Sequence, residues 1–265
     1  MVGGIISHLR KCEMVAPESV CGKNWTGGGR RVCSRRHQRP KEIMRIERYA
    51  SAEKLTTALV ELLATEIFRS SATPRLVMLA GGRTPLDAYA QLAARGQAAD
   101  ANLHLCLSDE RLVPVSSPES NAGQLAPLVR ALQLPPERTL FPNPELPAAD
   151  AVRDWNARLA GCLTRGGTLP LGILGLGADG HTASLFTLDD VERSRGVLTL
   201  AVARPSGPQR ISLSAELLAR FARLIFVTAG AEKQPMLARL ATAPLTIPAG
   251  AATVRAPRVE CWCAD

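Results

Sequence analysis

Apolar positions along the chain follow two alternating rhythms from about residue 50 onward. Leu55, Leu59, Leu62, Leu63 and Ile67 recur at helical spacing behind Ser51, a residue suited to cap a first turn, and predict a helix. The next run, LVMLAGG (76–82), is continuously apolar and ends in two glycines, as a buried strand entering a tight turn does. An Ala/Leu helix is predicted over 85–94, and LHLCLSDER (103–111) reads as a second strand that ends in charge. Helical spacing returns over 121–132 and 149–163. LGILGLG (171–177) is a third strand, 197–203 and 210–214 are two more, and RLIFVTAG (223–230) opens into a last helix over 231–240.

Short, continuously apolar strands alternating with helices predict an α/β fold: one doubly wound, largely parallel sheet covered by helices on both faces, a Rossmann-like three-layer sandwich. No repeat or linker interrupts the pattern after Met44, so residues 44–265 are expected to form one catalytic domain. In such folds ligands bind outside the carboxyl ends of the strands. Polar residues collect at those ends here.

Residues 1–43 break the rhythm. They hold nine Lys/Arg against three Glu, so +6 of the chain's formal +8 lies there and the remainder is nearly neutral. A GGGRR run and the lack of an apolar face predict a disordered basic extension or a start assigned too early, with Met44 as the true one; a transit peptide or a nucleic-acid arm are the other readings. The near-neutral body argues against nucleic acid as a partner. No apolar run reaches the roughly 18 residues of a membrane span. Seven cysteines, an odd number without a C-x-x-C pair, fit a reduced, cytoplasmic protein and no metal site; Cys33 with His37 lacks a second ligand pair.

The strand ends carry chemistry. Gly81-Gly82-Arg83-Thr84-Pro85 offers backbone N–H groups to an anion, with Thr84 placed to cap the following helix, although a plain strand-to-helix turn explains it equally. Ser108-Asp109-Glu110-Arg111, with Asn121 beyond, sets carboxylates and a guanidinium at the sheet rim, where they pair with each other or meet a polar ligand. GLGADGHTASLF (175–186) matches the dinucleotide pattern G-x-G-x-x-G. The acid expected about 20 residues later is missing, however, since the next strand ends at Ala203-Arg204. Asp179 and His181 point to acid–base work instead: an imidazole titrates near neutrality, and a carboxylate beside it fixes its tautomer. A helix beginning in this loop would add its positive end to the ring's surroundings. Arg210 and Lys233 bring a cation each to further strand ends, and two cations with a Gly-rich turn make a receptor for a phosphate dianion.

In this order the stretches LAGGRTPLDAYAQLA, SDERLVPVSSPESN, LGILGLGADGHTASLF, PQRISLS and TAGAEK resemble the glucosamine-6-phosphate isomerase/6-phosphogluconolactonase family, on its lactonase side. The resemblance covers residues 44–265. It implies hydrolysis of 6-phospho-D-glucono-1,5-lactone in the pentose phosphate pathway, without metal or cofactor, by a monomer or weak homo-oligomer. His181 matches the general base, with Asp179 and Gly180 in the same loop. Gly81, Gly82, Arg83, Thr84, Arg210 and Lys233 match phosphate and substrate contacts, and Asp109, Arg111 and Asn121 line the sugar side. In the related deaminases a Glu stands five residues after the histidine; here Phe186 does, which disfavours amino-sugar ring opening. Thr187 replaces the proline usual after Leu-Phe. A non-catalytic sugar-phosphate sensor is the alternative from another class.

Overall fold

The computed structural model describes residues 44–204 and 206–264; the readings made for residues 1–43 lie outside the described residues. Among the described residues there are ten strands: β1 Arg45–Tyr49, β2 Arg75–Leu79, β3 Leu103–Leu107, β4 Asp109–Arg111, β5 Thr139–Leu140, β6 Thr168–Leu174, β7 Thr199–Val202, β8 Arg210–Leu213, β9 Leu224–Ala229 and β10 Val259–Ala264. The helices are α1 Ala52–Phe68, α2 Arg83–Ala94, α3 Asn121–Ala131, α4 Ala148–Thr164, α5 Leu188–Arg193, α6 Ala215–Leu218, α7 Gln234–Thr242 and α8 Pro248–Thr253. Seven strands form a parallel sheet in the order β1-β10-β9-β6-β2-β3-β5.

Strand alternation divides the core. Val77 and Leu79 of β2 face one side with Leu55, Leu59 and Leu63 of α1, Tyr89 and Leu92 of α2, and Leu125 and Leu128 of α3. Leu76 and Met78 face the other, with Trp155 and Leu159 of α4 and Leu237 and Leu240 of α7. The α/β sandwich with both faces covered is therefore the fold. Ser51 caps α1 by accepting the Lys54 N–H at 3.3 Å, as its position predicts.

Strands 197–203 and 210–214 do not join this sheet. Their observed cores, β7 and β8, form an antiparallel three-stranded sheet with β4, in the order β4-β8-β7, over the α4 side. The segment 103–111, continuous in its pattern, is two strands in two sheets. Ser108 is the joint: its N–H donates to Leu79 O at 2.8 Å, and its carbonyl accepts Leu213 N–H at 2.9 Å.

Immediately after the joint, Glu110 is fully buried and its carboxylate accepts the N–H groups of Arg111 (2.7 Å), Asn121 (2.9 Å) and Ala122 (2.7 Å) and the Ser120 hydroxyl (3.1 Å). Burial pushes its pKa up, against the pull of these donors. An acid here ties β4 to the N-terminus of α3, whose first N–H groups have no partner within the helix. Glu110→Ala should destabilise the protein by about 2–4 kcal/mol, because the donors are left buried and unpaired. Urea unfolding measures the loss.

Candidate active site

The carboxyl ends of β9, β6, β2 and β3, neighbours at the centre of the large sheet, open onto one cavity of about 310 Å³. The chain reverses direction across the sheet between β2 and β6, the place where a doubly wound sheet leaves a crevice. Gly81, Gly82, Asp109, Arg111, Asn121, His181, Arg210 and Lys233 all line it. Their convergence from five separate segments is what the sequence motifs require.

Gly82 has φ +110 and Gly81 has no room for a side chain, since a Cβ there would lie 2.2 Å from Asn121 Oδ1. The helix after this turn starts at Arg83, two residues earlier than a Thr84 cap would place it; Gly82 is the cap residue and no side chain caps the helix. The open N–H groups of α2 are thus next to the cavity. Arg83 is exposed, and neither it nor Thr84 is among the residues lining the cavity.

Packed against Gly81, Asn121 donates to Asp109 O at 2.8 Å and accepts from Arg111 Nη1 at 3.0 Å. The Asp109 carboxylate accepts the hydroxyls of Ser108 at 2.7 Å and Ser184 at 2.6 Å, joining β4 to the 175–187 loop. Arg111 and Arg210 are directly opposed in the β4–β8 pair. Like charges across a strand pair repel. Arg210 is only 7% exposed, and its Nε and Nη1 are buried without a hydrogen-bond partner. Burial, and then the adjacent Arg111, hold its guanidinium below its usual pKa. A buried cation left in this state is what an anionic ligand would satisfy.

The loop between β6 and α5 carries His181 and Asp179. Asp179 Oδ1 is hydrogen-bonded to His181 Nδ1 and accepts the His181 N–H at 3.2 Å. Burial works against the Asp179 charge, but the hydrogen bonds from His181 outweigh it and hold the carboxyl below its ordinary pKa. Asp179 lies outside the main cavity wall, lining an adjoining hollow with Phe186, Thr187, Asp190, Ala203 and Arg204. Gly180, at φ +86, also stands back from the cavity; its carbonyl accepts Ala249 N–H at 2.9 Å and anchors the loop to α8.

No helix begins at His181, contrary to the short helical pattern in the sequence. The loop instead closes through Gly177 N–H to His181 O (2.9 Å) and Thr182 hydroxyl to Gly175 O (2.9 Å), with Ala183 in the left-handed region at φ +49. The next helix, α5, starts only at Leu188, capped by Thr187 in a reciprocal box with Asp190. That is the use of a threonine where a proline is usual. Ser108, Ser184, Phe186 and Arg204 also line the cavity and were not among the expected site residues. Arg204, a cation directly after strand β7, carried the same signal as Arg210; the serines carried none.

The family model described as glucosamine-6-phosphate isomerases/6-phosphogluconolactonase matches residues 50–261. A 6-phosphogluconolactonase of Homo sapiens is 32% identical over 231 residues, covering 82% of this chain and 89% of its own. One of Haemophilus influenzae is 31% identical over 188 residues, 69% of this chain and 81% of that one. The solved 6-phosphogluconolactonase of Thermotoga maritima superposes with TM-score 0.66 at 26% identity, covering 83% of this chain and 99% of its own.

The dyad packs closely against Gly177. A Cβ on Gly177 would lie 2.2 Å from His181 Nδ1 and 2.5 Å from Asp179 Oδ1. Gly177→Ala should displace the imidazole and lower kcat by about 10²-fold, the cost of an ångström-scale misplacement, with little change in thermal stability. Steady-state kinetics beside a melting curve tests this.

Proposed function

The chain belongs to the family of glucosamine-6-phosphate isomerases and 6-phosphogluconolactonases, and from this premise we propose that it hydrolyses 6-phospho-D-glucono-1,5-lactone with His181 as general base. That it is a lactone hydrolase of the pentose phosphate pathway follows from its 6-phosphogluconolactonase relatives at 31–36% identity. The proposal assigns catalysis to the domain of residues 44–265. The observation that carries it is the Asp179–His181 hydrogen bond at the rim of a cavity whose buried guanidinium lacks a partner.

With Nδ1–H donated to Asp179, the lone pair of His181 resides on Nε2. Nε2 takes a proton from water as the water oxygen attacks the lactone carbonyl C1. The resulting tetrahedral oxyanion collapses, the C1–O5 bond breaks, and O5 receives the proton from the imidazolium. The new carboxylic acid then ionises and releases one proton. Asp179 stabilises the transient imidazolium, a role compatible with its depressed pKa.

The phosphate is assigned to Arg210 and Lys233 together with the Gly81–Gly82 turn and the open N-terminus of α2 where Arg83 and Thr84 sit. Asp109, Arg111 and Asn121 are assigned to the sugar hydroxyls, and Gly180 to holding the histidine loop. Phe186, standing five residues after His181, offers no carboxylate for opening an amino sugar. The cysteines Cys106, Cys162, Cys261 and Cys263 are buried and not joined in disulfides, which fits a reducing compartment such as the cytoplasm.

Acid release from freshly made 6-phosphoglucono-δ-lactone, above the spontaneous rate, is the test. His181→Ala should lose about 10²–10⁴ of the acceleration while product affinity changes by less than about threefold. Arg210→Ala should instead raise KM by about 10- to 100-fold through loss of a charge-assisted contact. Wild-type turnover in the His181 variant would overturn the general-base assignment.

A further inference from the structure

We infer that Arg204 contacts the reacting carbonyl oxygen, stabilising the oxyanion that forms there and the carboxylate it becomes. This rests on the lactonase reading above and goes beyond it, since that reading uses Arg210 and Lys233 for the phosphate and leaves the oxyanion without a partner.

Arg204 follows β7 and lines both the main cavity and the adjoining hollow. Its guanidinium carbon stands 4.5 Å from the centroid of the Phe186 ring, and that ring is 4.9 Å from the His181 ring, inclined at 54°. Phe186 is thus a neighbour that the cation and the imidazole share. Phe186 is itself fixed: its backbone N–H donates to Asp190 Oδ2 at 3.1 Å, beside the capping box that starts α5. A guanidinium seated over an aromatic ring is attracted by the ring face and keeps N–H groups that can donate to an anion.

Arg204 needs such an anion. Among the described residues it has no carboxylate partner, and it adds to the field of Arg111 and Arg210 on the same cavity. Of the two negative charges a phosphorylated aldonolactone presents along the reaction, the phosphate is permanent. The other appears at C1 only when water attacks. Since C1 must lie within reach of His181, the cation resting on His181's aromatic neighbour is the one assigned to that charge. Being solvent-exposed, Arg204 does this without the burial cost that Arg210 bears.

Arg204→Met keeps the length and apolar stem of the side chain and removes the charge, at an exposed position where folding is not at stake. Two ligands of the wild type and the variant separate the ends of the site: 6-phosphogluconate, and glucitol 6-phosphate, which has the same carbon chain and phosphate but CH2OH in place of the carboxylate. Calorimetry should show 6-phosphogluconate binding weakened about tenfold and glucitol 6-phosphate binding unchanged. Turnover should fall about 10- to 100-fold with little change in KM, less than the ~10²–10³ of a fully buried oxyanion donor. Arg204→Lys should fall between the two, keeping charge without the planar fork. Equal weakening of both ligands would make Arg204 a phosphate contact and overturn the inference, as would kinetics and binding identical to wild type. A wild type that leaves the lactone at its spontaneous rate would instead overturn the lactonase reading, while the two-ligand comparison decides Arg204 by itself.

Discussion

One residue, Ser108, is hydrogen-bonded through its backbone to both sheets at once, and the cavity depends on it. Through its N–H the residue extends the β2–β3 pairing, and through its carbonyl it begins the contact with β8. The chain therefore leaves the parallel sheet at a fixed point and direction. The next three residues each acquire a distinct duty: Asp109 binds two serine hydroxyls, Glu110 is buried under the start of α3, and Arg111 meets Asn121. A slip of one residue in this pairing would exchange the inward Glu110 with its outward neighbours, because strand side chains alternate.

The arrangement that results is not one that stability alone would select. Two arginines face each other across β4 and β8, two nitrogens of the buried one lack partners, and Ala183 holds a left-handed backbone that a glycine would adopt more cheaply. Each opposes folding, and each lies on the cavity wall. The surrounding core, with α1, α2 and α3 on one face and α4 and the small sheet on the other, supplies the surplus that tolerates them.

Much of this was legible from periodicity. The strands β2, β3, β6 and β9 each overlap a mainly apolar run ending in glycine or charge, although β6 begins three residues before its predicted run and β3 ends where 103–111 divides. β1, RIERY, hides its strand character because it is a half-exposed edge, with no continuous apolar run to read. β10, VECWCA, is buried but short and preceded by a weakly patterned segment. The second sheet escaped because pairing partners are a tertiary property: nothing in LHLCLSDER marks the peptide at which the chain changes sheets. At the site, residues defined by type and strand-end position (His181, Asp109, Arg111, Asn121, Arg210, Lys233) were readable and line one cavity. Ser184 and Phe186 were not, since their relevance comes from how the 175–187 loop folds back through Gly177 and Thr182, without the helix its spacing suggested.

The edge position of β1 also bears on the order in which the molecule is assembled. Among the described residues its one strand partner is β10, with Arg45 aligned to Glu260, so the two cannot pair until all the intervening chain has been made. The β2, β3 and β5 strands, by contrast, come from one contiguous stretch, and so do the Gly81 turn and Asn121 on their rim. Loop-closure entropy is paid earliest where the intervening chain is shortest. One wall of the cavity can thus be organised while the chain is still emerging, whereas the wall bearing His181 and Lys233 waits for β6 and β9, and the outer edge of the sheet is sealed last.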